Sequence, residues 1–204
     1  KWLGIKWQKP IIFQSKRLKI YQSALKKLIS EDLIYSCHLN KRDYEQILSE
    51  PNFKKRQINL SISKNNTFSN KKPAWRMNID KIAKKLGKIH WLDYDGKQHI
   101  VEYDAIGDFI IARRDIQTSY HLSSVIDDAC SKISLVVRGK DLLESTSIHT
   151  ILQKIFNFNS PIYFHHKLIL DENGKKLSKR NKSKTISEIR KSGENVKNLK
   201  KLLF

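Results

Sequence analysis

An α/β fold is predicted by three features of the sequence. Two short, uninterrupted apolar runs, "DFIIAR" and "ISLVVRG", are of the kind buried on both faces of a parallel sheet, and each precedes a helix-like segment. A further apolar run, "KLIL", stands immediately before a loop and a last basic helical stretch. Strands alternating with helices in this way indicate helices packed on a mostly parallel sheet.

The elements follow in order. Residues 15 to 33 place Leu18, Tyr21, Leu25, Leu28 and Ile29 at helical spacing between lysines, with Ser15 as the N-cap, which predicts an amphipathic helix. A short helix is expected around Arg42 to Leu48. Residues 51 to 73 are polar and weakly periodic, and read as a loop or poorly ordered insertion. From "AWRMNID" onward the pattern turns to strands, and "KIHWLDYDGKQHIVEY" predicts a hairpin around the Asp95-Gly96 turn. After Gly107 come the two apolar strands with their helices, then "KLIL", and residues 185 to 203 close the chain as one or two basic helices.

Composition narrows the function classes. Lys and Arg number 40 against 20 Asp and Glu, a net charge of +20, which attracts polyanions and above all a nucleic acid backbone. Lysines are so evenly spread, however, that a basic cluster carries little weight alone. No run approaches the roughly 18 apolar residues that span a bilayer, and no signal-peptide pattern opens the chain, so a soluble, cytoplasmic setting is expected. Cys37 and Cys130 are the only cysteines and lack CxxC spacing, which excludes a disulfide framework and a four-thiolate metal site.

Residues 170 to 183, "LDENGKKLSKRNKS", follow a predicted strand, precede a helix and turn at Asn173-Gly174. Loops at the C-terminal ends of strands are where α/β sheets bind phosphates. There Lys176, Lys179 and Arg180 would neutralise phosphate charge and Ser178 would donate a hydrogen bond.

"LILDENGKKLSKR" also resembles the KMSKS signature of class I aminoacyl-tRNA synthetases, in the KLSKR form of glutamyl enzymes. "DFIIARRDIQTSYHLSSVIDDACSKISLVVRGKDLLESTSIHTILQKIF" is similar to the centre of the glutamyl-tRNA synthetase catalytic domain, and "KWLGIKW" with "FQSKRLKIYQSALKKLISEDLIYSC" to the segment after its first nucleotide-binding half. The likeness covers residues 1 to 50 and 105 to 193 and is weak between them. "RGKDLLESTSIH" and "DIQTSYHLSSVIDD" lie closer to the shortened glutamyl-queuosine tRNA(Asp) synthetases than to discriminating glutamyl-tRNA synthetases.

That resemblance implies a Rossmann-like class I catalytic domain with a small inserted α+β subdomain. Residues 1 to 35 would be the remainder of the first nucleotide-binding half, 36 to 104 the insertion, 105 to 182 the second half with its KLSKR loop, and 183 to 204 a C-terminal helical segment. It implies ATP-dependent activation of L-glutamate and transfer to tRNA, with tRNA(Asp) favoured, by a monomer using ATP and Mg2+. Tyr120 and Arg138 would bind glutamate; Lys176, Ser178 and Lys179 would serve catalysis; Lys179, Lys176 and His166 would meet ATP. Asp127 and Asp128 fill the family's double-aspartate position, with a direct role and a structural one both open; Trp2, Trp7 and Trp91 read as packing aromatics, and His165 and His166 as neighbours of the nucleotide. Cys37 fills the first position of the family's zinc module but Leu39 the second, so no structural zinc is expected. The HIGH signature has no counterpart, so the resemblance implies a chain lacking that part, of marginal stability and unable by itself to form glutamyl-adenylate; a discriminating glutamyl-tRNA synthetase fragment and a non-catalytic RNA-binding remnant are the alternative readings.

Overall fold

The computed structural model describes residues 2–7, 9–39, 72–171, 173–178 and 183–201. The helix expected around Arg42 to Leu48 and nearly all of the polar stretch 51–73 lie outside them. The chain divides into two compact units, a larger one of Phe13–Arg138 with Leu142–His165, and a smaller one of Lys1–Ile12, Gly139–Asp141 and His166–Phe204. Strands and helices interleave, as the α/β expectation required, but the pairing differs from it.

In the larger unit, helix α1 (Leu18–Ser30) buries Tyr21, Leu25 and Leu28, one face of a 3.6-residue repeat. It does not start at Ser15: Gln14–Lys16 forms a separate 3-10 turn, and the helix is preceded by Arg17, whose side chain makes no capping bond. Strands β1 (Ile34–Cys37), β2 (Ala74–Met77) and β5 (Ile110–Ala112) form a three-stranded sheet in which both pairings are antiparallel. "DFIIAR" is therefore not a strand of a parallel sheet: it pairs antiparallel to β2, with Ile111 and Ala112 buried and Ile110 exposed.

Helix α2 (Ile79–Leu86) is capped by Asn78, whose side chain accepts from the Lys81 amide at 3.1 Å. The expected hairpin is present as β3 (His90–Leu92) and β4 (Gln98–Ile100), paired in register Trp91 to His99. A short helix α3 (Tyr103–Ile106) leads to β5. Beyond it run α4 (Tyr120–Cys130), β6 (Leu135–Gly139), α5 (Leu143–Phe156) and β7 (Ile162–His166), with β6 and β7 paired across the α5 connection. "ISLVVRG" is not buried on both faces: Leu135 and Val137 are exposed while Arg138 is buried, the alternation of a strand packed on one side. One continuous apolar core joins α1, the three-stranded sheet, α2, the hairpin, α4 and α5, through residues such as Tyr21, Met77, Trp91, Leu122, Ile151 and Tyr163.

In the smaller unit "KLIL" does not form the expected strand. Among the described residues only Leu170 pairs, by a single antiparallel bridge to Lys176, as the Asn173-Gly174 turn folds the chain back on itself. Gly174 supplies the turn's positive φ of 70°. Two helices, α6 (Ile186–Lys191) and α7 (Val196–Lys201), stand in the predicted basic C-terminal stretch. Among the described residues no helix is long and apolar enough to cross a membrane.

Candidate active site

Helix α4 begins at a well-made cap. Ser119 is extended, and its hydroxyl accepts from the Leu122 amide at 3.3 Å, which puts Tyr120 on the first turn with its side chain half exposed. Leu122, Val125 and Ile126 bury the opposite face. The end of β6 carries Arg138 inward, with only 8% of its surface exposed. Helix α5 then lays Thr146, His149, Thr150 and Gln153 along one buried stripe, at spacings of three and four residues.

These elements converge on the Arg138 guanidinium. Nη2 donates to Thr146 Oγ1 at 2.5 Å, Nη1 lies 3.3 Å from His149 Nδ1, and Nε donates to His165 Nε2 at 3.2 Å. The Tyr163 ring lies beneath, its centroid 5.1 Å from Cζ. Tyr163 is itself held by Gln153, whose side-chain amide donates to the phenol oxygen at 2.8 Å, and burial pushes that phenol up to about 12. The guanidinium is met by a hydroxyl oxygen, two imidazole nitrogens and a phenol face, and Arg138 makes no ion pair among the described residues.

Histidines would normally compete for charge here. Burial, then the Arg138 cation and His121, hold His149 down to about 3; burial and Arg138 hold His121 down to about 4. Both are therefore neutral near pH 7, and His149 can accept at Nδ1. Tyr120 reaches the same imidazole, its ring centroid 5.4 Å from that of His149. The two residues expected to bind glutamate thus meet at one histidine.

The aspartate pair separates into two roles. Asp127 accepts from Gln14 Nε2 at 3.0 Å, Arg17 Nε at 2.8 Å and the Tyr21 hydroxyl at 2.7 Å, so its carboxylate is filled by structural partners. Asp128 is raised above the usual carboxylate range by burial and by Asp127, against the opposing pull of Arg138. Trp91 is buried, stacked on His99 at 4.0 Å and edge-on to His165 at 5.7 Å, in keeping with its reading as a packing residue.

The phosphate-loop candidates lie in the smaller unit. Asp171 Oδ1 accepts the amides of Asn173 and Lys175 at 2.9 and 2.8 Å, which shapes the turn. Lys176 forms an ion pair with Asp141, and Gly139 makes room for it: a Cβ there would lie 2.5 Å from Asp141 Oδ1. The Ser178 amide donates to Ser183 Oγ at 3.0 Å. His166 is exposed and its Nδ1 donates to the Lys167 carbonyl at 2.8 Å. Lys179 and Arg180 lie outside the described residues. Cys37 is buried, and among the described residues no three His, Cys, Asp or Glu side chains are grouped to hold a metal ion.

Thr146 and His149 escaped the reading of the sequence. Their signal was a polar stripe at helical spacing inside an otherwise apolar helix.

Comparison with known proteins gives a consistent result. The family model for the catalytic domain of class I tRNA synthetases (E and Q) matches residues 1–203. A glutamyl-Q tRNA(Asp) synthetase of Rhodobacter capsulatus is 34% identical over the whole of this chain and 78% of its own length. A glutamate–tRNA ligase 1 of Helicobacter pylori strain G27 is 30% identical over 95% of this chain, which spans only 42% of that relative. The crystal structure of a glutamate–tRNA synthetase from Elizabethkingia anophelis superposes with a TM-score of 0.63 at 22% identity, over 88% of this chain and 41% of that one, a likeness of fold.

Proposed function

The chain belongs to the class I tRNA synthetases of the glutamate and glutamine type, and from that premise we propose that it activates L-glutamate with ATP and transfers it to tRNA, most favourably to the queuosine base of tRNA(Asp). The observation that carries this reading is the buried Arg138 guanidinium, met by a hydroxyl oxygen and imidazole nitrogens and facing the histidine that Tyr120 also touches. A buried cation without a protein counter-ion favours an anionic ligand, and a guanidinium fork matches a carboxylate bidentately. It therefore favours glutamate over glutamine, whose side-chain amide cannot neutralise it.

Class I synthetases use ATP with Mg2+ as substrate. With glutamate gripped by Arg138 and its amino-acid end oriented by Tyr120, a carboxylate oxygen attacks the α-phosphorus of ATP and pyrophosphate leaves. Lys176 and Lys179 would stabilise the charge that develops on the leaving group, with Ser178 shaping the loop and His166 meeting the nucleotide. An acceptor hydroxyl on the tRNA then attacks the acyl carbonyl and AMP leaves. The excess of 40 Lys and Arg over 20 Asp and Glu supports tRNA as the polyanion.

The test charges unfractionated tRNA with labelled glutamate and ATP, using the protein expressed from its natural reading frame, and locates the label by nuclease digestion. Label in the anticodon fragment of tRNA(Asp) is the expected result. Label on the 3′ terminus assigns an ordinary glutamyl-tRNA synthetase instead, and no label with an otherwise folded protein overturns the reading.

A further inference from the structure

We infer that His149, with Thr146, is a positioning residue that holds Arg138 with neutral acceptors only, so that the substrate's carboxylate becomes the counter-ion of a cation the protein leaves uncompensated. The inference rests on the reading of Arg138 as the glutamate-binding residue and adds what makes it selective.

The donor count supports it. A guanidinium has five N–H groups. Thr146 takes one from Nη2, His149 one from Nη1 and His165 the one on Nε, so one N–H remains on each of Nη1 and Nη2. Two such donors are what a carboxylate accepts bidentately. The three acceptors fix the plane of the fork, and the Tyr163 face at 5.1 Å closes one side of it.

Neutrality is the second element. His149 is 2% exposed and its imidazole stays uncharged at pH 7, so Nδ1 accepts and the proton resides on Nε2. That Nε2–H is buried and has no acceptor among the described residues, and the imidazole that bears it lies against Tyr120. A carboxylate at the position of His149 would instead neutralise Arg138 from within. Arg138 also acts on Asp128, whose carboxyl is raised by burial and by Asp127 against the lowering pull of the guanidinium.

Two substitutions separate position from charge. His149→Asn keeps a neutral acceptor close to the place of Nδ1; His149→Asp keeps the shape and adds the negative charge. Binding of L-glutamate to the purified protein is measured by titration calorimetry, with thermal melting beside it and with KM for ATP taken from the transfer assay. The expected result is a loss of glutamate affinity of about tenfold or more in His149→Asp, with KM for ATP within about twofold of wild type, and a loss below about threefold in His149→Asn.

Unchanged glutamate affinity in His149→Asp overturns the inference, and so does an equal loss in both variants, which would make His149 a packing residue only. Should His149→Asp not fold, Thr146→Val, which removes the Nη2 acceptor at constant shape, takes its place: affinity unchanged from wild type overturns the inference, and a selective loss supports it. Wild-type protein that binds no glutamate defeats the functional reading itself, and this inference with it, an outcome distinct from a wild type that binds and variants that do not differ.

Discussion

The Tyr21 hydroxyl, from the buried face of α1, donates a 2.7 Å hydrogen bond to Asp127 in the last turn of α4. Residues 106 apart in sequence are thereby fixed side by side, and Gln14 and Arg17 complete the carboxylate's coordination. A hydrogen bond to a charged acceptor is roughly twice as strong as a neutral one. The Tyr21–Asp127 bond therefore fixes α1 against the helix whose other end presents Tyr120. Replacing Tyr21 by Phe keeps the ring in the core and removes only the bond. The expected loss is about 1–3 kcal/mol of stability, read by thermal or urea melting, with KM for glutamate unchanged; an unaltered melt would show that the hydroxyl contributes nothing net.

Arg138→Lys tests the fork. A lysine keeps the charge but offers a single point of donation in place of a planar pair, and leaves Thr146, His149 and His165 short of their donors. KM for glutamate is expected to rise about tenfold or more while KM for ATP is unchanged. Equal rises for both substrates would place Arg138 outside the glutamate pocket.

Stability should depend on pH through two histidines, the buried His149 and the half-buried His121. His121 and His149 titrate at 6.5 in an unstructured chain and at about 4 and about 3 in the fold. Between those limits the unfolded chain binds protons that the folded chain refuses, so stability is full above about pH 6.5 and falls as the pH drops toward 4. Each histidine contributes a slope of about 1.4 kcal/mol per pH unit in that window. His149→Asn removes one of the two, and the melting temperature should then fall less steeply between pH 6 and 4; an unchanged slope would mean that His149 is protonated in the fold.

The Lys176–Asp141 ion pair is exposed and should matter little to stability. Lys176→Ala is expected to leave the melting temperature unchanged within error while slowing glutamate activation. Lys179→Ala should slow it more, as the lysine proposed to stabilise departing pyrophosphate. Steady-state transfer rates at saturating glutamate and ATP measure both, and a Lys176→Ala enzyme of full activity would reduce that lysine to a partner of Asp141.

The parts that were legible in the sequence share a short range. The hairpin at Asp95-Gly96, the turn at Asn173-Gly174 and the apolar face of α1 each depend on residues within one turn or one repeat, so periodicity and turn chemistry sufficed. Ser15 failed as a cap because the chain spends Gln14–Lys16 on a 3-10 turn that delivers Gln14 and Arg17 to Asp127, a partner no local pattern reveals. "DFIIAR" and "ISLVVRG" misled for a related reason. A run of apolar residues records that burial is available, whereas strand direction and the number of packed faces depend on what lies alongside.

By itself the sequence determined the α/β class and the family, and the resemblance to that family singled out Tyr120 and Arg138 as the residues proposed to bind glutamate. Those rest on residue order and spacing, which survive without coordinates. Only the tertiary structure decided that Asp127 is taken up by Gln14, Arg17 and Tyr21, that Tyr120 and Arg138 meet at His149, and that the guanidinium is held by a hydroxyl and imidazole nitrogens rather than by a carboxylate among the described residues. Burial, protonation state and hydrogen bonds between distant segments arise from packing, and the charge left uncompensated on Arg138 is a property of that assembled environment rather than of any stretch of chain.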